Sequence, residues 1–233
     1  MLEYVLNCSI AFSVAVFSAL LLTPLARRGA RSLNLMDYPD TERKLHARAT
    51  PLGGGVAVFA ALLLGLGAAL MWGGPVAARM LQSGWQVGAL LVSGALILAV
   101  GLVDDYRPVP GRQKLAGQCL VIAVLIGSGL YIERVEVFHA TIALGILGVP
   151  FTMLWLLGAV NSINLLDGAD GFAATIGVVI CCAVAGMAIF TDHPADAAVA
   201  AAMAGALVGF LFFNFPPASI FLGDGGSMLI GLL

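Results

Sequence analysis

Charged residues are scarce in this chain of 233 residues. Asp, Glu, Lys and Arg together make up 10% of it, whereas hydrophobic residues make up 61% and the mean hydropathy is +1.02. An ordinary soluble domain is about half apolar and about one quarter charged. The composition therefore excludes a typical soluble globular domain and predicts a polytopic membrane protein.

Cysteine is scarce too, and several common signals are missing. The four cysteines all lie within apolar runs, which is typical of small core residues and not of a disulfide framework or a zinc site; they are Cys8, Cys119, Cys181 and Cys182. The first apolar run has no basic region before it and no obvious small-residue cleavage site, so we expect no cleavable signal peptide. The Gly53-Gly54-Gly55 run is not a Walker loop, because no Gly-Lys-Ser/Thr follows it.

Apolar segments about as long as a membrane-crossing helix fill most of the chain. They lie at about residues 4–25, 52–72, 86–103, 115–132, 141–160, 171–190 and 195–213, and an eighth begins near residue 226. We therefore predict an all-α membrane protein that forms one domain over residues 1–233, with seven complete membrane helices plus the start of an eighth. Several segments are rich in Gly and Ala, which favours close helix packing in lipid.

Basic residues are distributed unevenly between the loops. Nine of them lie between the first and second segments or between the third and fourth, namely Arg27, Arg28, Arg31, Arg43, Lys44, Arg48, Arg107, Arg112 and Lys114. Loops of the other parity hold only Arg79 and Arg134. Because cytoplasmic loops carry an excess of Lys and Arg, we predict that the first set is cytoplasmic and that the N-terminus lies outside.

The stretch Asn161–Gly171 is the most polar interruption between two apolar segments. It contains the amides Asn161 and Asn164 and the carboxylates Asp167 and Asp170, and a glycine follows each Asp. Polar groups placed like this in a membrane protein usually serve function. The alternative is a polar turn in which Asn and Asp cap the neighbouring helices.

Two further acidic motifs fall on the same predicted side. Asp104-Asp105 ends the third segment, where two carboxylates oppose the helix dipole and each other, so we expect a divalent cation or a nearby Lys or Arg to offset their charge. Lys114 and Arg112 could instead supply positive charge to a phosphate. A solvated helix end is the alternative. Asp224 lies in Gly-Asp-Gly-Gly-Ser ahead of the eighth segment, a setting that suits magnesium with phosphate oxygens, or else a plain N-cap. Phe221 is suited to stacking on a base, or simply to packing at the membrane interface.

The basic loop that contains Lys44 and His46 suits either a substrate phosphate or lipid head groups. Taken together, the carboxylates, the lysine and the glycine-rich helix starts on one membrane face indicate phosphoryl-type chemistry at the membrane surface, with a lipid phosphate as a natural acceptor. A transporter or channel is the rival class, although its acidic groups would lie at mid-membrane depth and these lie at segment ends. An inactive remnant is a third alternative.

These motifs together resemble the polyprenyl-phosphate N-acetylhexosamine-1-phosphate transferases (glycosyltransferase family 4). The resemblance runs through the Arg43–Gly55 loop, Asp104-Asp105, Asn161–Gly171 and Phe221–Ser227, and it is strongest to the bacterial undecaprenyl-phosphate GlcNAc-1-phosphate transferases. The related phospho-N-acetylmuramoyl-pentapeptide transferases share the Asp-Asp pair and the Asp-Gly-x-Asp-Gly pattern, so their activity is the alternative.

The resemblance implies transfer of an N-acetylhexosamine-1-phosphate, with GlcNAc-1-phosphate as first choice, from a UDP-sugar to undecaprenyl phosphate. UMP would be released, with Mg²⁺ as cofactor and Mn²⁺ as a substitute, in the first membrane step of a cell-envelope polysaccharide. The expected partners are UDP-N-acetylhexosamine, undecaprenyl phosphate and membrane lipids, and no nucleic acid. The resemblance leaves open the exact sugar, the choice between lipopolysaccharide and teichoic acid pathways, and whether the protein is a monomer or a homodimer. The expected location is the inner (plasma) membrane, with the active site facing the cytoplasm.

The resemblance also implies roles for individual residues. Asp224 and Asn164 would hold the metal, Lys114 the diphosphate and Asp170 the uracil, with Phe221 stacking on the base. The predicted catalytic residues are Asp104, Asp105 and Asp167, and the predicted substrate-binding residues are Lys44, His46, Lys114, Asn164, Asp170 and Phe221. The family has a later cytoplasmic loop with a His-rich motif, so by this comparison we expect the 233 residues to be a fragment or a truncated product.

The predicted orientation can be tested by labelling. A cysteine that replaces Ala169 should stay protected from a membrane-impermeant thiol reagent in intact cells, because the positive-inside rule places its loop in the cytoplasm. A cysteine that replaces Glu133, in a loop of the other parity, serves as the accessible control. Ready labelling at position 169 from outside would overturn the topology and with it the use of a cytoplasmic UDP-sugar.

Overall fold

The structure is a computed structural model that describes residues 1–38, 49–138 and 140–233. The helices of these residues are α1 (Leu2–Ser32), α2 (Gly54–Trp72), α3 (Gly74–Gln82), α4 (Gly84–Tyr106), α5 (Gly111–Gly127), α6 (Gly148–Leu166), α7 (Phe172–Phe190), α8 (Pro194–Asn214) and α9 (Gly223–Leu232). Two short antiparallel hairpins accompany them: β1 (Met36–Asp37) pairs with β2 (Thr50–Pro51), and β3 (Arg134–Val137) pairs with β4 (Ala140–Ala143). The all-α membrane class predicted from composition is confirmed.

Within the described ranges, six helices are long and apolar enough to cross a membrane: α1, α2, α4, α6 with the 3-10 turn before it, α7 and α8. The segment predicted at 115–132 is observed as α5, whose 17 residues lie at the lower end of the range for a crossing helix, about 17–25 residues. The predicted eighth segment is α9, which has 10 residues.

Two features differ from the predicted segments. Helix α5 ends at Gly127, and two residues later Gly129 takes a left-handed φ of 93°, a conformation that stops a helix at little cost for glycine. The segment predicted at 141–160 begins in strand β4 instead of a helix. Val135 pairs with Ile142 across this hairpin, and such β-branched residues favour extended backbone.

Helix α8 forms the centre of one half of the bundle, packed against α1, α2 and α7. Its sequence is rich in alanine, a strong helix former with a small side chain. A Cβ added at Gly205 would meet the carbonyl oxygen of Phe12, and one added at Gly209 would meet that of Val16. Small residues thus allow α8 to lie against the backbone of α1, as membrane helices commonly do.

Helix α9 forms the centre of the other half, packed against α2, α4 and α6. A Cβ added at Gly101 of α4 would meet the backbone of Gly225, and one added at Gly55 of α2 would meet that of Gly226. The first turn of α9 therefore lies in backbone contact with both neighbours. Its position relative to the end of α4 is set by these glycine contacts.

Prolines end two helices at the same end of the bundle. Arg107, which precedes Pro108, and Phe215, which precedes Pro216, both have extended backbone, because a following proline disfavours helical geometry. The loops at this end are joined by backbone hydrogen bonds: Gly54 N–H donates to the Phe221 carbonyl, and Phe221 N–H donates to that of Pro51. These hydrogen bonds join the residues that lead into α2 to the loop before α9.

The glycine contact between α4 and α9 leads to a prediction. Gly101→Ala should lower the free energy of unfolding by about 1–3 kcal/mol, because its Cβ has backbone in its way and not a movable side chain. Gly88→Ala is the matched control in the same helix, since an added Cβ there meets nothing within 4 Å. Thermal unfolding in detergent measures both variants, and equal melting temperatures would contradict the packing described here.

Candidate active site

Four helix ends bring together polar side chains from distant parts of the sequence. Asp104 and Asp105 lie in the last turn of α4, Lys114 in the first turn of α5, Asn164 in the last turn of α6, and Asp224 in the first turn of α9. The sequence predicted all five as site residues, and the structure places them in one cluster. We call this the polar cluster.

The ammonium group of Lys114 lies at the centre of the polar cluster. Its Nζ is 2.7 Å from Asp224 Oδ2, 2.8 Å from Asp104 Oδ2 and 3.2 Å from Asn164 Oδ1. Three oxygens from three helices thus converge on one cation. The side chains of Lys114 and Asp104 are 17% and 12% exposed, so solvent screens this ion pair less than one at the surface.

The amide of Asn164 fixes the other side of Asp224. Its Nδ2 donates to Asp224 Oδ1 at 2.7 Å and to Ser227 Oγ at 2.8 Å. The buried Ser227 hydroxyl donates in turn to the carbonyl of Gly223. Ser227 was not predicted as a site residue, although its spacing of three from Asp224 at a helix start is a recognisable signal.

Asp105 makes different contacts from its neighbour Asp104. Its Oδ1 accepts a hydrogen bond from the Asp224 N–H at 2.9 Å, and its Oδ2 accepts one from the Gly225 N–H at 3.4 Å. Asp105 therefore caps the N-terminus of α9, where a carboxylate also interacts favourably with the helix dipole. Gly223 has a φ of 78°, and a Cβ there would lie 2.6 Å from Asp105 Oδ2, so this cap needs glycine.

The two aspartates that follow α6 lie next to the polar cluster. Asp167 is half-buried in the turn after the helix. Burial, together with the negative charges of Asp224 and Asp105, raises the pKa of the Asp167 carboxyl well above its ordinary value. Asp170 accepts a hydrogen bond through Oδ2 from the Ala218 N–H at 2.9 Å, which ties this turn to the loop before α9.

A second residue outside the prediction shapes the loop before α9. The side chain of Asn214 is buried, and its Nδ2 donates to the carbonyl of Ile220 at 3.0 Å, across the Pro216-Pro217 turn. This bond holds the loop that leads to Phe221, a half-buried residue at the start of the α9 region. Lys44 and His46, predicted to bind substrate, lie outside the described residues.

The chemistry of the polar cluster suits a hard divalent cation that shares its ligands with phosphate. In residues 1–38, 49–138 and 140–233, no three His, Cys, Asp or Glu side chains are grouped so that they could hold a metal alone. Magnesium typically takes one or two carboxylates and completes its shell with water and substrate phosphates. Asp224 and Asn164 already direct two oxygens at one cation, the Lys114 ammonium, so this donor pair fits magnesium; Asp104 contacts the same ammonium from α4.

A cavity of about 700 Å³ lies away from this cluster, at the opposite ends of α4 and α9. Its walls include Arg79, Asp192, Trp155 and Leu232. None of the described residues predicted for the site lines it. The site is therefore identified by converging charges and helix ends, and the cavity belongs to another part of the molecule.

Comparison with known proteins gives a family match. The sequence profile described as "Glycosyl transferase family 4" matches residues 87–233, more than half of the chain. The matched region contains every member of the polar cluster.

Three relatives illustrate the similarity. The chain is 31% identical over 231 residues to a "Probable undecaprenyl-phosphate N-acetylglucosaminyl 1-phosphate transferase" of Bacillus subtilis (98% of this chain, 62% of the relative). It is 36% identical over 220 residues to a "Decaprenyl-phosphate N-acetylglucosaminephosphotransferase" of Mycobacterium tuberculosis H37Rv (88% and 53%). It is 31% identical over 256 residues to a "Phospho-N-acetylmuramoyl-pentapeptide-transferase" of Desulforudis audaxviator (99% and 74%). The chain thus spans between half and two thirds of the length of the first two.

The raised pKa of Asp167 gives a prediction with a defined sign. The Asp167 carboxyl holds its proton more tightly in the folded state than in the unfolded state. The stabilisation that this carboxyl contributes at low pH is therefore lost as the pH rises from its ordinary pKa, about 4, through its raised pKa in the folded protein. Asp167→Asn carries no charge to bury, so at neutral pH the variant should unfold at a higher temperature than the wild type. This advantage should vanish near pH 4.

The measurement is the difference in melting temperature between variant and wild type in detergent across this pH range. Glu133→Gln, at an exposed residue of another loop, is the control and should show a small difference. A difference for Asp167→Asn that stays constant with pH would contradict the effect of burial and neighbouring charge.

Proposed function

This chain belongs to glycosyl transferase family 4, as its motifs predicted, and on that basis we propose that it transfers N-acetylglucosamine-1-phosphate from UDP-N-acetylglucosamine to a polyprenyl phosphate, undecaprenyl phosphate in the first instance. UMP is the second product. The names of the Bacillus and Mycobacterium relatives support this choice of sugar and of acceptor class. In the cell the reaction would start a lipid-linked polysaccharide at the plasma membrane, with the site on the cytoplasmic side.

The observation that carries the proposal is the set of three oxygens around Lys114 Nζ. A sugar-nucleotide diphosphate needs compensation of its negative charge, from a divalent cation and from lysine or arginine. The polar cluster supplies one lysine and an oxygen set that can accept such a cation. All of these groups lie at helix ends, where two substrates can meet.

The reaction balances without any further reactant. An oxygen of the lipid phosphate forms a bond to the β-phosphorus of the UDP-sugar, and the bond between that phosphorus and the bridging oxygen breaks. UMP leaves with the bridging oxygen. The lipid phosphate is largely ionised at neutral pH, since the second pKa of a phosphate monoester is about 6, so positioning and charge compensation matter more than a strong base.

Each group of the polar cluster has a place in this scheme. Asp224 and Asn164 would hold magnesium, which supplies charge neutralisation on the diphosphate when bound. Lys114 would bind a diphosphate oxygen with its ammonium. Asp104, which shares Lys114 with Asp224, would lie beside the lipid phosphate and keep the Lys114 ammonium directed toward it. Asp105 supports this arrangement through its cap on α9.

The nucleoside would extend toward the turn after α6. Asp170 uses Oδ2 for the Ala218 N–H, which leaves recognition of the uracil N–H to its second oxygen. Phe221, held by backbone hydrogen bonds to Pro51 and Gly54, would stack on the base. Asp167 would lie near the sugar-phosphate, where a protonated carboxyl can donate a hydrogen bond to an anionic oxygen.

An activity assay tests the proposal. Purified protein with UDP-N-acetylglucosamine, undecaprenyl phosphate and Mg²⁺ should release UMP in step with a lipid-linked sugar. A parallel reaction with UDP-N-acetylmuramoyl-pentapeptide separates the proposed activity from that named for the Desulforudis relative. Release of UMP from the pentapeptide substrate alone, or from neither, would overturn the proposal.

Magnesium titration of two variants tests the division of roles. Asp224→Asn should raise the Mg²⁺ concentration for half-maximal rate by roughly tenfold or more, since a ligand of the cation is weakened. Asp104→Asn should lower turnover by at least about tenfold, because the Lys114 ammonium loses a carboxylate that positions it, while the Mg²⁺ titration stays close to that of the wild type. The same Mg²⁺ shift in both variants would show that the two carboxylates form one shared metal site.

A further inference from the structure

A second layer of polar contacts lies one helical turn deeper than the polar cluster. Gln118 of α5 follows Lys114 by four residues, Asn161 of α6 precedes Asn164 by three, and Met228 of α9 follows Asp224 by four. These spacings place each deeper residue below its partner on the same helix face, about 4–6 Å further along the axis. The same three helices are thus joined twice.

The contacts in this second layer are specific. Gln118 Nε2 donates to Asn161 Oδ1 at 3.2 Å, and Asn161 Nδ2 donates back to Gln118 Oε1 at 2.9 Å. Gln118 Nε2 also lies 3.1 Å from Met228 Sδ. Gln118 therefore contacts α6 and α9 just as Lys114 does in the layer above.

Burial makes the Gln118 amide demanding, whereas its partner Asn161 is an exposed residue of α6 that also donates through Nδ2 to the Leu157 carbonyl at 2.8 Å. Gln118 is 0% exposed, and an amide buried in a membrane helix is costly unless its hydrogen bonds are made. A pair with two reciprocal bonds is satisfied at one rotation and one depth of α5 relative to α6. A small rotation of α5 would break both bonds and would move Lys114 away from its oxygens.

We propose that Gln118 and Asn161 are positioning residues that fix the rotation and depth of α5 against α6, and thereby hold the Lys114 ammonium on Asp224 and Asn164. The catalytic part of this role rests on the proposed function. The geometric part does not, because it concerns the placement of Lys114 whether or not substrate is present.

The chain offers a direct measure of that placement, since it contains two lysines, Lys44 and Lys114. In the wild type, Lys114 should react slowly with acetic anhydride, because its ammonium is held by three oxygens. Gln118→Met keeps the side-chain length but removes the amide. In this variant, acetylation of Lys114 should rise by roughly tenfold, which corresponds to a loss of about 1.4 kcal/mol from the interactions that hold the Lys114 ammonium in place. Mass spectrometry reports the ratio of Lys114 to Lys44 acetylation.

Gln113→Met is the matched control, because Gln113 is an exposed residue of the same helix. Its acetylation ratio should equal that of the wild type. The rescue variant combines Gln118→Asn with Asn161→Gln, which exchanges the two amides and conserves their combined length. It should restore the low Lys114 reactivity that Gln118→Asn alone loses.

Turnover adds a second readout on the same variants. In Gln118→Met, kcat/KM for UDP-N-acetylglucosamine per folded molecule should fall by roughly tenfold or more, as expected for a displaced substrate-binding group. Its melting temperature should change little, since interhelical hydrogen bonds in membranes add little net stability on average. A loss of activity that follows the folded fraction would indicate a structural role and would overturn the inference.

The outcomes separate the two proposals. If the wild type releases no UMP, the proposed function fails, and the acetylation ratios still decide the positioning role. If the wild type is active while Gln118→Met keeps its Lys114 reactivity, the positioning role is wrong. Should Gln118→Met not fold, the amide exchange decides alone: failure to restore low Lys114 reactivity contradicts the inference.

Discussion

One shared cation holds this site together. Asp104 ends one helix and Asp224 begins another, and their carboxylates reach the same ammonium of Lys114 at 2.8 and 2.7 Å. Two half-buried carboxylates this close repel each other strongly, and the positive charge offsets that repulsion. The arrangement of the helix ends around the site depends on this compensation, because removing one partner of a buried ion pair leaves the other charge buried and uncompensated.

Close backbone contacts between glycines allow Asp224 of α9 to reach the shared cation, the Lys114 ammonium. The first turn of α9 lies in backbone contact with α2 and α4 at glycine pairs such as Gly101 with Gly225. Larger residues would push α9 outward and lengthen the distance from Asp224 to Lys114. The Asp105 cap then fixes the start of α9 from the same helix that carries Asp104. Core packing and site chemistry are therefore two consequences of the same close approach.

The same arrangement is consistent with the proposed phosphoryl-transfer function. Charge that would otherwise destabilise the helix ends is gathered where the anionic substrates of the proposed reaction would need it. Gln118 and Asn161, one helical turn deeper, join α5 to α6 beneath this charge. Asp167 illustrates the cost of this concentration, since its neighbours and its burial disfavour its ionised form. Sites that trade stability for activity commonly hold such groups.

The sequence by itself determined the membrane class and identified all five members of the polar cluster as candidate site residues, because hydrophobic length and glycine-flanked acidic motifs are local signals. Only the tertiary structure decided which contacts each carboxylate makes. Asp104 and Asp105 are adjacent in sequence, yet one binds Lys114 and the other caps α9. Gln118 reads as a single polar residue in an apolar run until α6 brings Asn161 beside it. Contacts between residues more than 40 or 100 positions apart depend on how helices pack, and no local pattern contains that information.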